Sequence, residues 1–334
     1  MKQLVQGSAN LNIEVTEEWL QDYVDSWVNF FKKQTTDGEL ANYIPILEEA
    51  DPEALGISII GKNGTTIKSG NTEEKFTIQS ISKVLTFIVA CMDRGLTYVL
   101  DRVDVEPTGE AFNSIMHLEM QQPNKPFNPM VNSGAITVSS MLNGKSSDQK
   151  LEALFTLMER MIGYRPEINV EAYESERDTS MRNRAIGYYL LEGEYLESDL
   201  GITLETYFKQ SAIEITIDDL ARIGLVLAND GFDPVTDEEI IPRAITRLAK
   251  ALMLTCGMYD ASGKFAAYVG VPAKSGVSGG ILAVVPPRVR DEELPFLEGC
   301  GIGVYGPALD QQGNSIGGIK LLRHIANHWD LSLF

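Results

Sequence analysis

Apolar positions fall into three regimes along the chain. Between Thr16 and Lys33, Trp19, Leu20, Tyr23, Trp27 and Phe30/Phe31 recur at helical spacing behind a capping threonine, which predicts a first helix. Residues 55–70 (LGISIIGKNGTTIKSG) instead give two short β-branched runs joined across Asn63-Gly64, a hairpin signature. From Ser80 to about Thr255 the period is helical, broken by loops such as PNKPFNP and NGKSSD. Strand-like runs bounded by Gly and Pro return late, in KFAAYVGVP, GGILAVVPP and CGIGVYGP. The chain then closes on GGIKLLRHIANHW, whose Ile319, Leu322, Ile325 and Trp329 share one helical face.

Strands from both ends thus bracket a long helical stretch. This predicts an α+β fold in which an antiparallel sheet, flanked by the terminal helices, meets an all-helical part. One catalytic unit spanning 1–334 is expected, with 1–79 and 256–334 forming the sheet part, 80–255 the helical part, and the active site in the cleft between them. No fixed-period repeat is visible.

The composition is that of an ordinary globular chain: 334 residues, 44% hydrophobic and 22% charged. A net charge of −19 argues against nucleic acid and against anionic membrane surfaces as partners. No apolar run approaches the ~20 residues of a membrane span, and the first residues lack the apolar core of a signal peptide. Cys91, Cys256 and Cys300 make no disulfide framework, so reduced thiols and a cytoplasmic location are expected. Among His117, His324 and His328, the last two have the i, i+4 spacing of a metal site. No HExxH or Cys/His cluster accompanies them, and a packed or solvated helix face is the expected reading; no metal or cofactor is called for.

Chemistry enters at FTIQSISKVLTFIVACM, residues 76–92, where Ser80 precedes Lys83 by three positions at the head of a helix apolar nearly all round, with Gly95 as its C-terminal stop. At that spacing both side chains project from one face. A serine hydroxyl becomes a nucleophile when a nearby base takes its proton, and burial beside a helix N-terminus depresses a lysine's pKa until it can be that base. A capping serine with a snorkelling lysine is the plain alternative. A second copy of the spacing, Ser147 to Lys150, sits among polar residues, where Ser147 reads as the N-cap of LEALFTLM. What distinguishes the first copy is a separate element, Lys274-Ser275-Gly276 in AKSGVSGGILAVVP, the Lys-Ser/Thr-Gly strand that faces the nucleophile in SxxK serine acyl-enzymes. Such a strand can supply one backbone N–H of an oxyanion hole, with that of Ser80 as the other. The SDN element of β-lactamases has no counterpart at a matching place. A β-lactamase or D-alanyl carboxypeptidase, and a non-catalytic amino-acid sensor, are the rival readings.

The blocks ANYIPILEEADP, TIQSISKV, NPMVNSGAI, SERDTSMRNRAIGYYL, YFKQSAIEI, LANDGF, CGMYDASGKFAAYVGVPAKSGVSGGILAVVP and GPALDQQGNSIGGI, in that order, resemble the bacterial serine-dependent glutaminases. The resemblance implies the β-lactamase/penicillin-binding-protein-like fold, hydrolysis of L-glutamine to L-glutamate without a cofactor, and a homodimer or homotetramer. It further implies Ser80 as nucleophile, Lys83 as base and Tyr259 as proton relay to the leaving ammonia. Val277 would lend its N–H to the oxyanion hole, and Tyr43, Asn132, Glu176, Asn183 and Tyr207 would surround the amino-acid end. These residue types suit a zwitterion, whose ammonium needs a carboxylate and whose carboxylate needs amide and phenol donors.

Overall fold

The computed structural model describes residues 16–35, 37–42, 44–120, 125–289 and 294–334. Helix α1 (Glu17–Lys32) starts where the Thr16 side chain accepts a hydrogen bond from the Trp19 N–H at 3.2 Å. Glu17 and Glu18 in its first turn and Lys32 in its last complement the helix dipole. The predicted hairpin follows as β1 (Gly56–Gly61) and β2 (Thr66–Gly70), with Gly64 at φ +90° in the turn. Short strands β3 (Phe76–Thr77) and β4 (Glu214–Ile215) pair with each other, as do β5 (Phe232–Asp233) and β6 (Glu238–Glu239). Late in the chain come β7 (Ala273–Ser275), β8 (Gly280–Val285) and β9 (Cys300–Tyr305). Five strands form one antiparallel sheet in the order β2-β1-β9-β8-β7, so the N-terminal hairpin and the C-terminal strands are one layer.

The intervening helices are α2 (Ser82–Arg94), α3 (Leu96–Arg102), α4 (Met116–Met120), α5 (Asn132–Met141) and α6 (Ser147–Ile162). They continue with α7 (Val170–Thr179), α8 (Met181–Glu192), α9 (Leu200–Ser211), α10 (Ile217–Ala228) and α11 (Arg243–Cys256). Beyond them lie α12 (Ser262–Tyr268) and the terminal α13 (Ile316–His328). Residues 82–91 of α2 and all of α5 are buried, so these two helices form the centre of the helical part, as the all-round apolar pattern of α2 requires.

Alternation along the strands divides the core into two layers. Ile281, Ala283, Ile302 and Val304 join α1 and α13 on one face, while Leu282, Val284 and Tyr305 join α10 and the helical part on the other. On that second face β9 presents Gly301 and Gly303, and α10 lies directly on them. A Cβ at Gly301 would sit 2.0 Å from the Ala221 carbonyl oxygen, and one at Gly303 2.1 Å from that of Ile217. Only glycine lets helix and sheet backbones approach this closely. Across the opposite face, His324 and His328 stack on one another and meet the Trp27 ring at 4.8 and 5.0 Å. The i, i+4 histidines thus belong to the α1–α13 contact.

Two local expectations are corrected. KFAAYVGVP is not a strand: Lys264–Tyr268 lie in α12, with Phe265 and Val269 buried one turn apart, and the ladder begins only at Ala273. A short apolar run carries no decisive period, and here burial recurs every four residues. The cap of α6 is Ser146, which accepts from the Gln149 N–H, whereas Ser147 is the first helical residue and accepts from Lys209 Nζ at 2.9 Å. Lys150 is buried and donates to the carbonyls of Ser140 and Leu142 at the end of α5, a structural task for the second Ser/Lys pair.

Candidate active site

Ser80 lies in a 3₁₀ turn, Gln79–Ile81, that leads from β3 into α2. The turn is pinned on both sides: the Ile78 N–H donates to the Ile213 carbonyl at 2.8 Å, and Ser82 Oγ donates to the Gln79 carbonyl at 2.7 Å. Gln79 itself is left-handed at φ +46°, a conformation that costs a non-glycine residue on the order of 1 kcal/mol and aims the next side chain out of the turn. Ser80 is half-buried.

One turn on, Lys83 is 2% exposed. Its Nζ donates to Asn132 Oδ1 at 2.6 Å and to the Met130 carbonyl at 3.2 Å. Asn132 opens α5 and passes the link on, its Nδ2 donating to Asn183 Oδ1 at 2.8 Å. A neutral amine has two N–H groups and one lone pair, and the two carbonyl-type acceptors account for both N–H groups. Burial lowers the Lys83 pKa to about 7, Glu176 acting in the opposite direction.

Glu176, on α7, is buried, and its Oε2 has no hydrogen-bond partner among the described residues. Burial pushes its carboxyl up to about 8, with Lys83 opposing. An orphaned, buried carboxyl oxygen facing a cavity is a site made for a cationic ligand group.

Tyr259 forms the start of a second 3₁₀ turn after α11, also left-handed at φ +52°. Gly257, just before it, passes so close to β7 that a Cβ there would lie 1.8 Å from the Ala273 carbonyl oxygen. This contact ties Tyr259 to the Lys274-Ser275-Gly276 strand. Tyr259 is buried and its ring packs on Phe112 at 4.8 Å. Burial raises its pKa, while the Ser80 hydroxyl acts to favour the ionised phenol. Lys274, wholly buried, places Nζ 4.4 Å from the Tyr259 ring centroid and donates to the Ser275 carbonyl at 2.7 Å. Burial, reinforced by Lys83, holds its amine well below the usual lysine range.

These elements enclose a cavity of ≈ 250 Å³, lined among others by Ser80, Asn132, Glu176, Asn183, Tyr207 and Val277. Six of the nine residues expected at the site therefore face one space. Lys83 sits behind the wall, linked to it through Asn132, and Tyr259 stands behind Phe112. Tyr43 lies outside the described residues. Gln79, Phe112 and Arg182 also line the cavity and were not foreseen. Phe112 sits in an aperiodic loop that carries no signal, and Arg182 reads as a helix-surface charge. Lys274 belonged to a recognised motif, but its position over Tyr259 depends on the α11–β7 contact. Among the described residues, no group of three His, Cys, Asp or Glu side chains could hold a metal ion, and no helix is long and apolar enough to cross a membrane.

A glutaminase family profile matches residues 38–334. The chain is 77% identical over 331 residues to a glutaminase of Oceanobacillus iheyensis, covering 99% of this chain and 100% of the relative. Its structure is similar to a probable glutaminase of Bacillus subtilis, with TM-score 0.89 and 54% identity over 94% of this chain and 98% of the other. A second B. subtilis structure, a covalent complex with 5-oxo-L-norleucine formed by reaction with 6-diazo-5-oxo-L-norleucine, matches with TM-score 0.86 and 51% identity, covering 94% of this chain and all of that one. The shared architecture is the β-lactamase-like fold.

Proposed function

The chain belongs to the glutaminase family and hydrolyses L-glutamine to L-glutamate and ammonia, and we propose that it does so through a γ-glutamyl ester on Ser80. Ser80 Oγ attacks the side-chain amide carbon as the lone pair of neutral Lys83 takes its proton. The carbonyl oxygen, now an oxyanion, is met by the backbone N–H groups of Ser80 and Val277. The C–N bond then breaks, and the nitrogen leaves as ammonia with a proton delivered from Lys83 through Tyr259. Water attacks the ester by the same route, its proton returning Ser80 to the hydroxyl form and releasing glutamate. At the other end of the cavity Glu176 takes the substrate ammonium, while Asn132, Asn183 and Tyr207, with Tyr43, hold the carboxylate.

The observation that carries these roles is the placing of Lys83. It is buried one turn from Ser80, lowered to about 7, with both neutral N–H groups occupied. A cation on the protein surface could not act as this base. The covalent analogue complex of the B. subtilis relative is consistent with a nucleophile in the same cavity. Ser80→Ala is expected to abolish ammonia release without lowering the melting temperature, and intact mass spectrometry should show a glutamyl adduct on the wild type only. Persisting turnover in Ser80→Ala would remove the mechanism. A nitrocefin assay run alongside tests the β-lactamase alternative.

We further propose a homo-oligomer in the cytoplasm. Cys91, Cys256 and Cys300 are unpaired, as expected for a reducing compartment. Sedimentation at micromolar concentration tests the assembly.

A further inference from the structure

A cavity of ≈ 710 Å³ lies where the end of α10, the start of α11 and the loop leaving β8 meet, and it shares no lining residue with the glutamine cavity. Arg243, Arg247 and Lys250 occupy one face of α11 at i, i+4 and i+7. All three converge on the Asp230 carboxylate, through Arg243 Nε at 2.9 Å, Arg247 Nε at 3.1 Å and Lys250 Nζ at 2.6 Å. Lys62, exposed in the turn after β1, brings a fourth cation to the same space. The framework is fixed. Asp230 is left-handed at φ +57°, and the Gly231 carbonyl beside it accepts from the N–H groups of Ile240 and Ile241 at 2.9 and 3.1 Å, tying the end of α10 to the approach to α11.

Asp230 does not exhaust these cations. Each arginine spends only its Nε there, and among the described residues the Nη groups of Arg243 and Arg247 and the Nζ of Lys62 have no hydrogen-bond partner. Burial alone would raise the Asp230 pKa, but hydrogen bonds from Lys250, Arg243 and Arg247 hold it down to about 2, so the carboxylate is charged at neutral pH. Four cations then stand against the carboxylates of Asp230 and Glu239, an excess of two positive charges in a chain of net charge −19. Within α11 this is unfavourable. Like charges one turn apart cost roughly 0.2–0.5 kcal/mol, and cations at a helix N-terminus oppose the dipole by about 0.3–1 kcal/mol. The first turn holds no acidic residue, and Pro242 offers no side-chain cap. An anion seated between the Nη groups reverses both penalties.

We propose that this cavity is a second ligand site, and that it takes a chain of two or three phosphates between Arg243, Arg247 and Lys62. Guanidinium forks match phosphate oxygens in pairs, and the two excess charges call for more than one anionic group, which a single carboxylate does not bring. The phosphates come either as free polyphosphate or as the tail of a nucleotide. For the second source there is an apolar wall beside the cations, made by Phe232, 36% exposed, with Pro286 and Pro287.

The test is calorimetric titration with pyrophosphate, ATP and sulfate at constant ionic strength, without divalent cations. The expected result is one saturable site per chain for pyrophosphate and ATP, with sulfate at least about tenfold weaker. In the double variant Arg243→Gln with Arg247→Gln, both phosphate compounds should bind about tenfold more weakly or worse, while glutamine hydrolysis without ligand stays within about twofold. Lys62→Gln removes a cation that holds no other side chain, so it should weaken binding several-fold at an unchanged melting temperature. ATP binding tighter than pyrophosphate, with the difference lost in Phe232→Ala, identifies a nucleotide; equal binding identifies the free phosphate chain. Ser80→Ala should bind both as the wild type does. Absence of saturable binding to the wild type would overturn the proposal. So would affinity unchanged in the double variant and in Lys62→Gln, sulfate binding as tightly as pyrophosphate, or loss of binding in Ser80→Ala, which would put the ligand in the glutamine cavity.

Discussion

Lys83 and Glu176 are two buried ionisable groups whose pKa values burial moves in opposite directions, Lys83 down to about 7 and Glu176 up to about 8. Both must lose a proton before glutamine can bind and react. The logarithm of kcat/KM should therefore climb with pH, with a slope near one between about 7 and 8 and steeper below about 7, where Lys83 is also protonated. In the complex the substrate ammonium holds Glu176 ionised, so kcat should follow the Lys83 titration alone. Glu176→Gln removes one of the two protons, and the kcat/KM slope should drop to one. It also removes the charge that raises Lys83, so the remaining limb should shift to lower pH. Lost ammonium recognition is worth roughly 1.5–3 kcal/mol, so KM should rise by about ten- to a hundredfold. The stability sign runs the other way. A carboxyl whose folded pKa is raised above 4.5 destabilises the fold as pH rises towards 8, so above pH 8 the variant should melt no lower than the wild type. Asparagine, one methylene shorter, cannot reach Ser80 and the oxyanion donors while its ammonium stays on Glu176. A misplacement of about 1 Å costs on the order of a hundredfold in rate, so discrimination should appear in kcat as well as KM. Ser80, Lys83 and the Lys274-Ser275-Gly276 strand were legible from spacing and context alone. Glu176, Asn183 and Tyr207 were not, since each is ordinary in its own helix and only the assembled cavity gives it a task; they came from the family resemblance.

Elements were legible to the extent that their period was unambiguous. The capped α1, the Asn63-Gly64 hairpin and the all-round apolar α2 follow directly from pattern. Residues 264–268 do not, because five residues cannot separate a period of two from one of four. The close seating of α10 on β9 was also hidden. In CGIGVY the glycines look like weak strand positions, whereas they are the surface on which a helix rests. Gly303→Ala should accordingly cost about 1–3 kcal/mol, since the new methyl meets a backbone carbonyl that cannot move aside. Gly109→Ala, where a Cβ meets nothing within 4 Å, should shift stability by less than about 0.5 kcal/mol. Thermal and urea unfolding of the pair provide the measurement, and equal effects would show that helix and sheet can separate at no cost.

For the whole molecule, the charge of −19 has a consequence that no single residue shows. Repulsion among its carboxylates opposes compaction, and raising ionic strength shortens its range from ~30 Å at 0.01 M to ~8 Å at 0.15 M. The melting temperature should therefore rise between those two salt concentrations, and a fall would mean that ion pairs such as Arg222–Asp233 outweigh the repulsion. We propose the division into a sheet part (1–79 with 256–334) and a helical part (80–255) as the two walls of the cleft. The order of strands and helices along the chain suggested it. The exception, invisible in that order, is α10: it comes from the helical stretch, yet it lies on the sheet and shares the hydrophobic core of α2 and α6. Because its backbone rests on bare glycine, neither wall can shed it without opening its own interior to water. Cleft and core should then be lost in one event: a single calorimetric endotherm, displaced upward as a unit by a bound glutamine analogue, with the slowest amide exchange along α10 and β9.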